Sequence, residues 1–128
     1  MKNSCEAISN STGEIILETS YRHGMSVSVG GTQQKIHLPL LISIRDNGVG
    51  ISSELTSNIF EPFITTKASG TGLGLAFVAK AVSDHGGVVE VDSFPGNTVF
   101  QITLPVAKSS DNAGSAFTEF EIGLNTKE

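Results

Sequence analysis

The stretch Gly70-Thr71-Gly72-Leu73-Gly74-Leu75-Ala76-Phe77-Val78-Ala79-Lys80-Ala81-Val82-Ser83-Asp84-His85-Gly86-Gly87 decides how the chain is read. Leu75, Val78, Ala79 and Val82 fall at offsets 0, 3, 4 and 7, one face of an α-helix, while Lys80, Ser83 and Asp84 hold the wet side. Gly86-Gly87 stops that helix. Glycines at alternate positions stand in front of it. Each costs folding entropy relative to alanine, so the cluster needs a reason, such as a positive φ or a close approach of backbone to a ligand. Free N–H groups and the positive dipole end of a helix bind phosphate, and glycines let the phosphate approach.

Two familiar phosphate loops do not fit. The dinucleotide fingerprint wants GxGxxG directly after a strand, whereas the spacing here is GxGxG after a Pro-containing loop. The Walker loop needs a Gly-Lys pair, which occurs nowhere in the chain.

Upstream, Glu61 to Ser69 reads as a mobile loop. Within Ile59-Phe60-Glu61-Pro62-Phe63-Ile64-Thr65-Thr66-Lys67, the aromatics could anchor a lid at its base and Lys67 could reach a triphosphate as a mobile point charge. Taken singly, Phe60 and Phe63 read as core. Ahead of this lies a short helix capped by Ser52 or Ser53, with Glu54 in its first turn and Leu55 and Ile59 on one side. Further back, the buried strand Leu40-Leu41-Ile42-Ser43-Ile44 runs into Asp46-Asn47-Gly48-Val49-Gly50, the second glycine cluster. A carboxylate at a strand end can accept a hydrogen bond from an amine-bearing ring, and missing Cβ atoms let a flat ligand lie against the backbone. The plain alternative is an Asx turn closing the strand.

Beyond the helix, Val88–Phe94 and Val99–Leu104 alternate as two strands joined across Pro95-Gly96-Asn97, an antiparallel hairpin. At the start, Lys2 to Ile8 reads as the last turns of a helix whose beginning is missing, with Cys5 as a small residue facing the core. Ile15 to Tyr21 suits a strand with Glu18 and Ser20 wet and Leu17 and Thr19 dry. Residues 22–37 suit either a hairpin turning at Gly30-Gly31 or a loop. After Pro105 the composition turns to Ser, Asn, Gly and charge, so the expected division is a domain over 1–106 and a flexible tail over 107–128. The element order describes an α/β two-layer sandwich, its sheet mixed but mostly antiparallel, with helices on one face and a pocket between the layers.

Composition narrows the function. The chain has 128 residues with 8 Lys+Arg against 13 Asp+Glu, a net charge of −5, enough length for one core and no cationic surface for nucleic acid. No apolar run reaches membrane-spanning length and no signal-like segment opens the chain, so a cytoplasmic domain without direct membrane contact is expected. The single Cys excludes an internal disulfide and a CxxC pair.

Asp46-x-Gly48-x-Gly50, Phe60-Glu-Pro-Phe63 and Gly70-x-Gly72-x-Gly74-Leu75, in this order and spacing, resemble the first glycine box, F box and second glycine box of the sensor histidine kinase ATP-binding domain. Asn3-Ser-Cys-Glu-Ala7 resembles the end of that family's asparagine box. The lid wording Glu61 to Lys67 and Asp84-His85-Gly86-Gly87 resemble nitrogen-regulation sensors of the NtrB type. The resemblance implies the Bergerat (GHKL) fold, with ATP and Mg2+ as cofactors. It implies that Asp46 accepts the adenine amino hydrogen, that Gly48 and Gly50 shape the adenine pocket, and that Asn3 coordinates magnesium. Gly70, Thr71, Gly72, Leu73, Gly74 and Leu75 would cradle the triphosphate, with Lys67 helping from the lid.

The family's phosphate acceptor is a His on a separate dimerisation domain. His23, His37 and His85 have no such context and read as structural. The resemblance therefore implies the catalytic part of a two-component protein histidine kinase, a homodimer in its parent form, that relays phosphate to a response regulator. The upstream asparagine of the box is missing, so the chain reads as a truncated fragment unable to autophosphorylate alone. The alternative is a degenerate GHKL domain serving as a nucleotide-binding or interaction module without kinase activity.

Overall fold

The computed structural model describes residues 1–8, 12–28 and 34–107. The elements are α1 (Lys2–Ala7), β1 (Ile15–Tyr21), β2 (Ser26–Ser28), β3 (Lys35–His37), β4 (Leu40–Asp46), α2 (Ser53–Thr56), α3 (Gly74–Asp84), β5 (Val88–Phe94) and β6 (Asn97–Leu104). The main sheet has the order β1-β4-β6-β5, and every described pairing in it is antiparallel. The β2-β3 pair forms a separate hairpin, so the hairpin reading of residues 22–37 holds; its turn at Gly30-Gly31 lies outside the described residues, as does the tail from 108 onward.

Register sorts the side chains onto two faces. Asp46 opposes Thr98 and Ile15; Ile44 opposes Phe100 and Leu17; Ile42 opposes Ile102 and Thr19. Residues directly opposite share a face, so these form one surface, and the helices lie on it. The Phe60 ring meets the Phe100 ring edge-on at 6.4 Å, and Leu104 sits close to Val82 of α3 around Gly87. The other face carries Leu41, Ser43 and Thr103, shielded as central residues, while Leu38 and Pro39 are tied in by Leu38 N–H to Met25 O (3.0 Å) and Arg22 N–H to Pro39 O (2.7 Å).

The helix ends follow local chemistry. α2 starts after Ser52 and is over by Thr56, so Ile59 falls beyond it. α3 closes on Gly86 at φ 72°, with Gly86 N–H to Ser83 O and Gly87 N–H to Val82 O at 2.8 and 2.9 Å. The β5-β6 turn is tighter than the alternation suggested, because Asn97 already pairs with Phe94 across Pro95-Gly96.

Three expectations are corrected. Cys5 is exposed and Ser4 is the buried residue of α1, since 100° of helical rotation separates neighbours and Ser4 takes the inward position. Leu17 and Thr19, expected dry on the helix-bearing face of β1, are both exposed, Leu17 by 54% and Tyr21 beside them equally so, because the described helices cover β4, β5 and β6 and leave this edge strand open. Phe63 is 76% exposed, so only Phe60 of the aromatic pair packs inward.

Candidate nucleotide site

Asp46 ends β4 on the helix-bearing face and is only 3% exposed. Its Oδ1 accepts the Gly48 N–H at 3.1 Å, so the Asx turn exists. That bond fixes the carboxylate and leaves Oδ2 without a partner among the described residues. The turn is clamped from several sides. Gly48 O accepts the Gly96 N–H (2.9 Å), Val49 N–H reaches Ala7 O, and a Cβ on Gly48 would stand 2.8 Å from Ala7. Gly50 has φ 83°, and a side chain there would strike the Phe94 carbonyl at 2.8 Å. Glycine is therefore required at both positions by packing.

Several residues of this end were not singled out in the sequence. Asn47 ties the turn to the entry of β1, its Oδ1 accepting Glu14 N–H (2.8 Å) and its Nδ2 donating to Thr12 O (3.0 Å). Thr98, opposite Asp46, is 3% exposed and shares a 2.8 Å hydrogen bond with Ser93, whose Oγ also accepts the Ile51 N–H at 2.9 Å. The Pro95-Gly96-Asn97 turn signal lay beside Thr98, but only the register shows which residue meets Asp46.

At the lid, the three glycines separate by role. A Cβ on Gly70 would lie 2.4 Å from Thr65 Oγ1, and one on Gly72, at φ 67°, would lie 2.5 Å from the Phe63 carbonyl carbon. Both are demanded by the loop folding on itself, where Phe63 N–H bonds to Gly72 O at 2.9 Å and Phe63 takes φ 70°. A Cβ on Gly74 meets nothing within 4 Å. Gly74 opens α3, whose N-cap, Leu73, supplies no side-chain hydrogen bond. The start of α3 thus carries no side-chain cap from Leu73 and no side chain at Gly74, leaving its first N–H groups for an anion. Thr71 Oγ1 accepts the Leu73 N–H at 3.4 Å and shapes the approach; Leu75 is half-buried on the inner side.

Helix α1 links the two ends. Ala7 lies against Gly48, while Asn3 and Glu6 meet the lid: Lys67 Nζ is 3.4 Å from Asn3 Oδ1 and bonded to Glu6 Oε2. The hydrogen bond from Lys67 holds the Glu6 carboxyl below the usual carboxylate range against desolvation, with the charges of Lys67 and Lys2 adding smaller contributions. Of two surface hollows, of about 210 and 340 Å³, the smaller is lined in part by Asp46 and Asn47, and neither includes a residue of Gly70 to Leu75. Arg45 lines both, and it lies on the face away from the helices.

The histidines are elsewhere. His85 Nδ1 bonds to Ala81 O at 2.7 Å at the end of α3, His23 packs edge-on against Tyr21 at 4.7 Å, and His37 ends β3.

Residues 2–108 match the model of the histidine kinase-, DNA gyrase B-, and HSP90-like ATPase family, and the chain belongs to that family. Among its members the likeness is to sensor histidine kinases. The chain is 54% identical over 114 residues to the sensory histidine kinase/phosphatase NtrB of Azospirillum brasilense, spanning 89% of this chain and 28% of that protein. It is 48% identical over 119 residues to the NtrB of Rhizobium leguminosarum bv. phaseoli, spanning 91% and 31%. Full-length ShkA, solved in complex with AMPPNP, superposes with a TM-score of 0.58 at 28% identity over 77% of this chain and 18% of its own. The chain thus spans less than a third of the curated relatives it matches.

Proposed function

We propose that this chain binds magnesium–ATP and presents its γ-phosphoryl group to a histidine on a separate dimerisation domain, for relay to a response regulator in nitrogen regulation. The carrying observation is Asp46, nearly out of water, with Oδ1 committed to Gly48 N–H and Oδ2 left as an acceptor. A purine amino group is the complementary donor. Gly48 and Gly50 let the turn beside it pack against Ala7 and Phe94, shaping that side of the pocket, and Thr98 supplies a hydroxyl on the opposing strand.

At the other end, the uncapped start of α3 at Gly74, with Thr71 before it, receives phosphate oxygens through backbone N–H groups. Lys67 adds a movable cation. Asn3 Oδ1 is a hard oxygen donor already 3.4 Å from an ammonium, so its surroundings suit a cation of magnesium's chemistry. Bound there, magnesium would neutralise phosphate charge. The domain's own contribution is placement: the purine held by β4, the phosphates by α3, and the terminal group directed to the open side of the lid. The homodimeric parent, its phosphoacceptor domain and a cytoplasmic location belong to the same reading, supported by the NtrB likeness; among the described residues no helix is long and apolar enough to cross a membrane.

Calorimetric titration with AMPPNP, with and without magnesium, tests it. Micromolar, magnesium-assisted binding is expected, and absence of binding by the folded chain would refute the reading.

A further inference from the structure

Glu6 is given no part in holding nucleotide or metal above, yet it stands beside the residues that are. It follows Asn3 by three residues on α1, so the two side chains share one helix face. The Lys67 ammonium touches both, lying 3.4 Å from Asn3 Oδ1 and bonded to Glu6 Oε2. One cation position is therefore served by an amide oxygen and a carboxylate oxygen, a donor pair suited to a hard divalent ion. The ammonium that fills it comes from a lid residue on a flexible four-carbon stem, and it can leave without moving α1.

We propose that Glu6 joins Asn3, directly or through water, in holding the divalent cation that accompanies the nucleotide, and that the Lys67 ammonium keeps this place until the nucleotide arrives. The exchange rests on the magnesium–ATP reading and sharpens it. Without a divalent ion, Glu6 places negative charge beside the triphosphate and opposes it. With the ion between them, the same carboxylate attracts. Lys67, displaced from α1, turns to the phosphate oxygens. Glu6 thereby makes nucleotide affinity depend on the metal more steeply than Asn3 alone would.

The test is calorimetric titration of the chain with AMPPNP, with and without magnesium, for the wild type, Glu6→Gln, Lys67→Met and the double variant. Glu6 is exposed on a surface helix, so the glutamine variant keeps the fold. The expected result is that Glu6→Gln weakens magnesium-supported binding by about tenfold or more, leaves magnesium-free binding equal or tighter, and does so in the Lys67→Met background as well. Mn2+ titration, read from the loss of the free-ion electron paramagnetic resonance signal in the presence of AMPPNP, should show the same loss of metal affinity. The inference is overturned if Glu6→Gln changes binding by one factor irrespective of metal, or if its effect vanishes in Lys67→Met, since Glu6 then acts only on the lysine. Either result leaves the nucleotide reading standing, whereas a wild type that binds no AMPPNP would remove both.

Discussion

Replacing Asp46 with Asn separates recognition from folding with a single atom. In the wild type, Oδ1 is held by the Gly48 N–H at 3.1 Å. The asparagine keeps one carbonyl oxygen, and the buried Gly48 N–H requires it, because an unpaired backbone donor out of water costs about 1–3 kcal/mol. The new NH2 must therefore stand where Oδ2 stood, facing the purine amino group donor to donor. A hydrogen bond to a charged acceptor contributes about 1.5–3 kcal/mol, so its loss alone weakens binding roughly 10- to 150-fold, and the opposed donors add to this. Calorimetric titration with AMPPNP measures the loss, and circular dichroism melts confirm the fold. The corresponding inosine nucleotide, which presents a carbonyl in place of the amine, should lose far less and can gain. An asparagine variant that is folded and binds AMPPNP within about threefold of the wild type would refute the role of Asp46, since 1.4 kcal/mol per tenfold leaves no room for the bond.

The lid glycines provide a second contrast. Gly72→Ala, at φ 67° and against the Phe63 backbone, should destabilise the domain by about 2 kcal/mol or more, lowering the melting temperature by roughly 8 °C or more. Gly74→Ala, in open space at the start of α3, should raise stability by up to about 1 kcal/mol while weakening AMPPNP binding. Phe60→Ala should cost about 2–3 kcal/mol in denaturant unfolding through lost packing on Phe100, and Phe63→Ala should stay within about 0.5 kcal/mol. Ser93→Ala removes the acceptor of Ile51 N–H and the partner of Thr98, for an expected loss of about 1–2 kcal/mol in the same assay.

Patterns confined to neighbouring residues were legible before any coordinates. The helical face of Leu75, Val78, Ala79 and Val82, of which Val78 at its margin stays 36% exposed, the stop at Gly86 and the turn after Asp46 are all written within a few positions, because capping and turn chemistry act locally. Features set by distant pairing were not. Thr98 meets Asp46 only through the β4-β6 register, and Ser93 enters only through the hairpin that follows. Phe63 looked like core because it is aromatic, but the close approach of Gly72 holds its backbone at positive φ and turns the ring outward. The dry face of β1 misled for a different reason: alternation reports which side chains share a face, and says nothing of what lies above that face. Among the glycines, sequence grouped Gly70, Gly72 and Gly74 together, while the surroundings assign two to loop packing and leave one facing open space.

Among the described residues, the buried apolar side chains are Leu38, Leu41 and Val82, with Leu38 alone fully shielded, and Leu17 and Tyr21 are more than half exposed. A domain with so little buried hydrocarbon belongs at the lower end of the 5–15 kcal/mol range of domain stability, given as a rough range. A ligand present at 100 times its dissociation constant adds about 2.7 kcal/mol to the folded state, by mass action alone. On the proposed function, nucleotide held between β4 and α3 would then supply a large share of the net stability. Its occupancy would be a folding variable as much as a catalytic one, and a fall in ATP would shorten the domain's lifetime against proteolysis before it limited phosphoryl transfer.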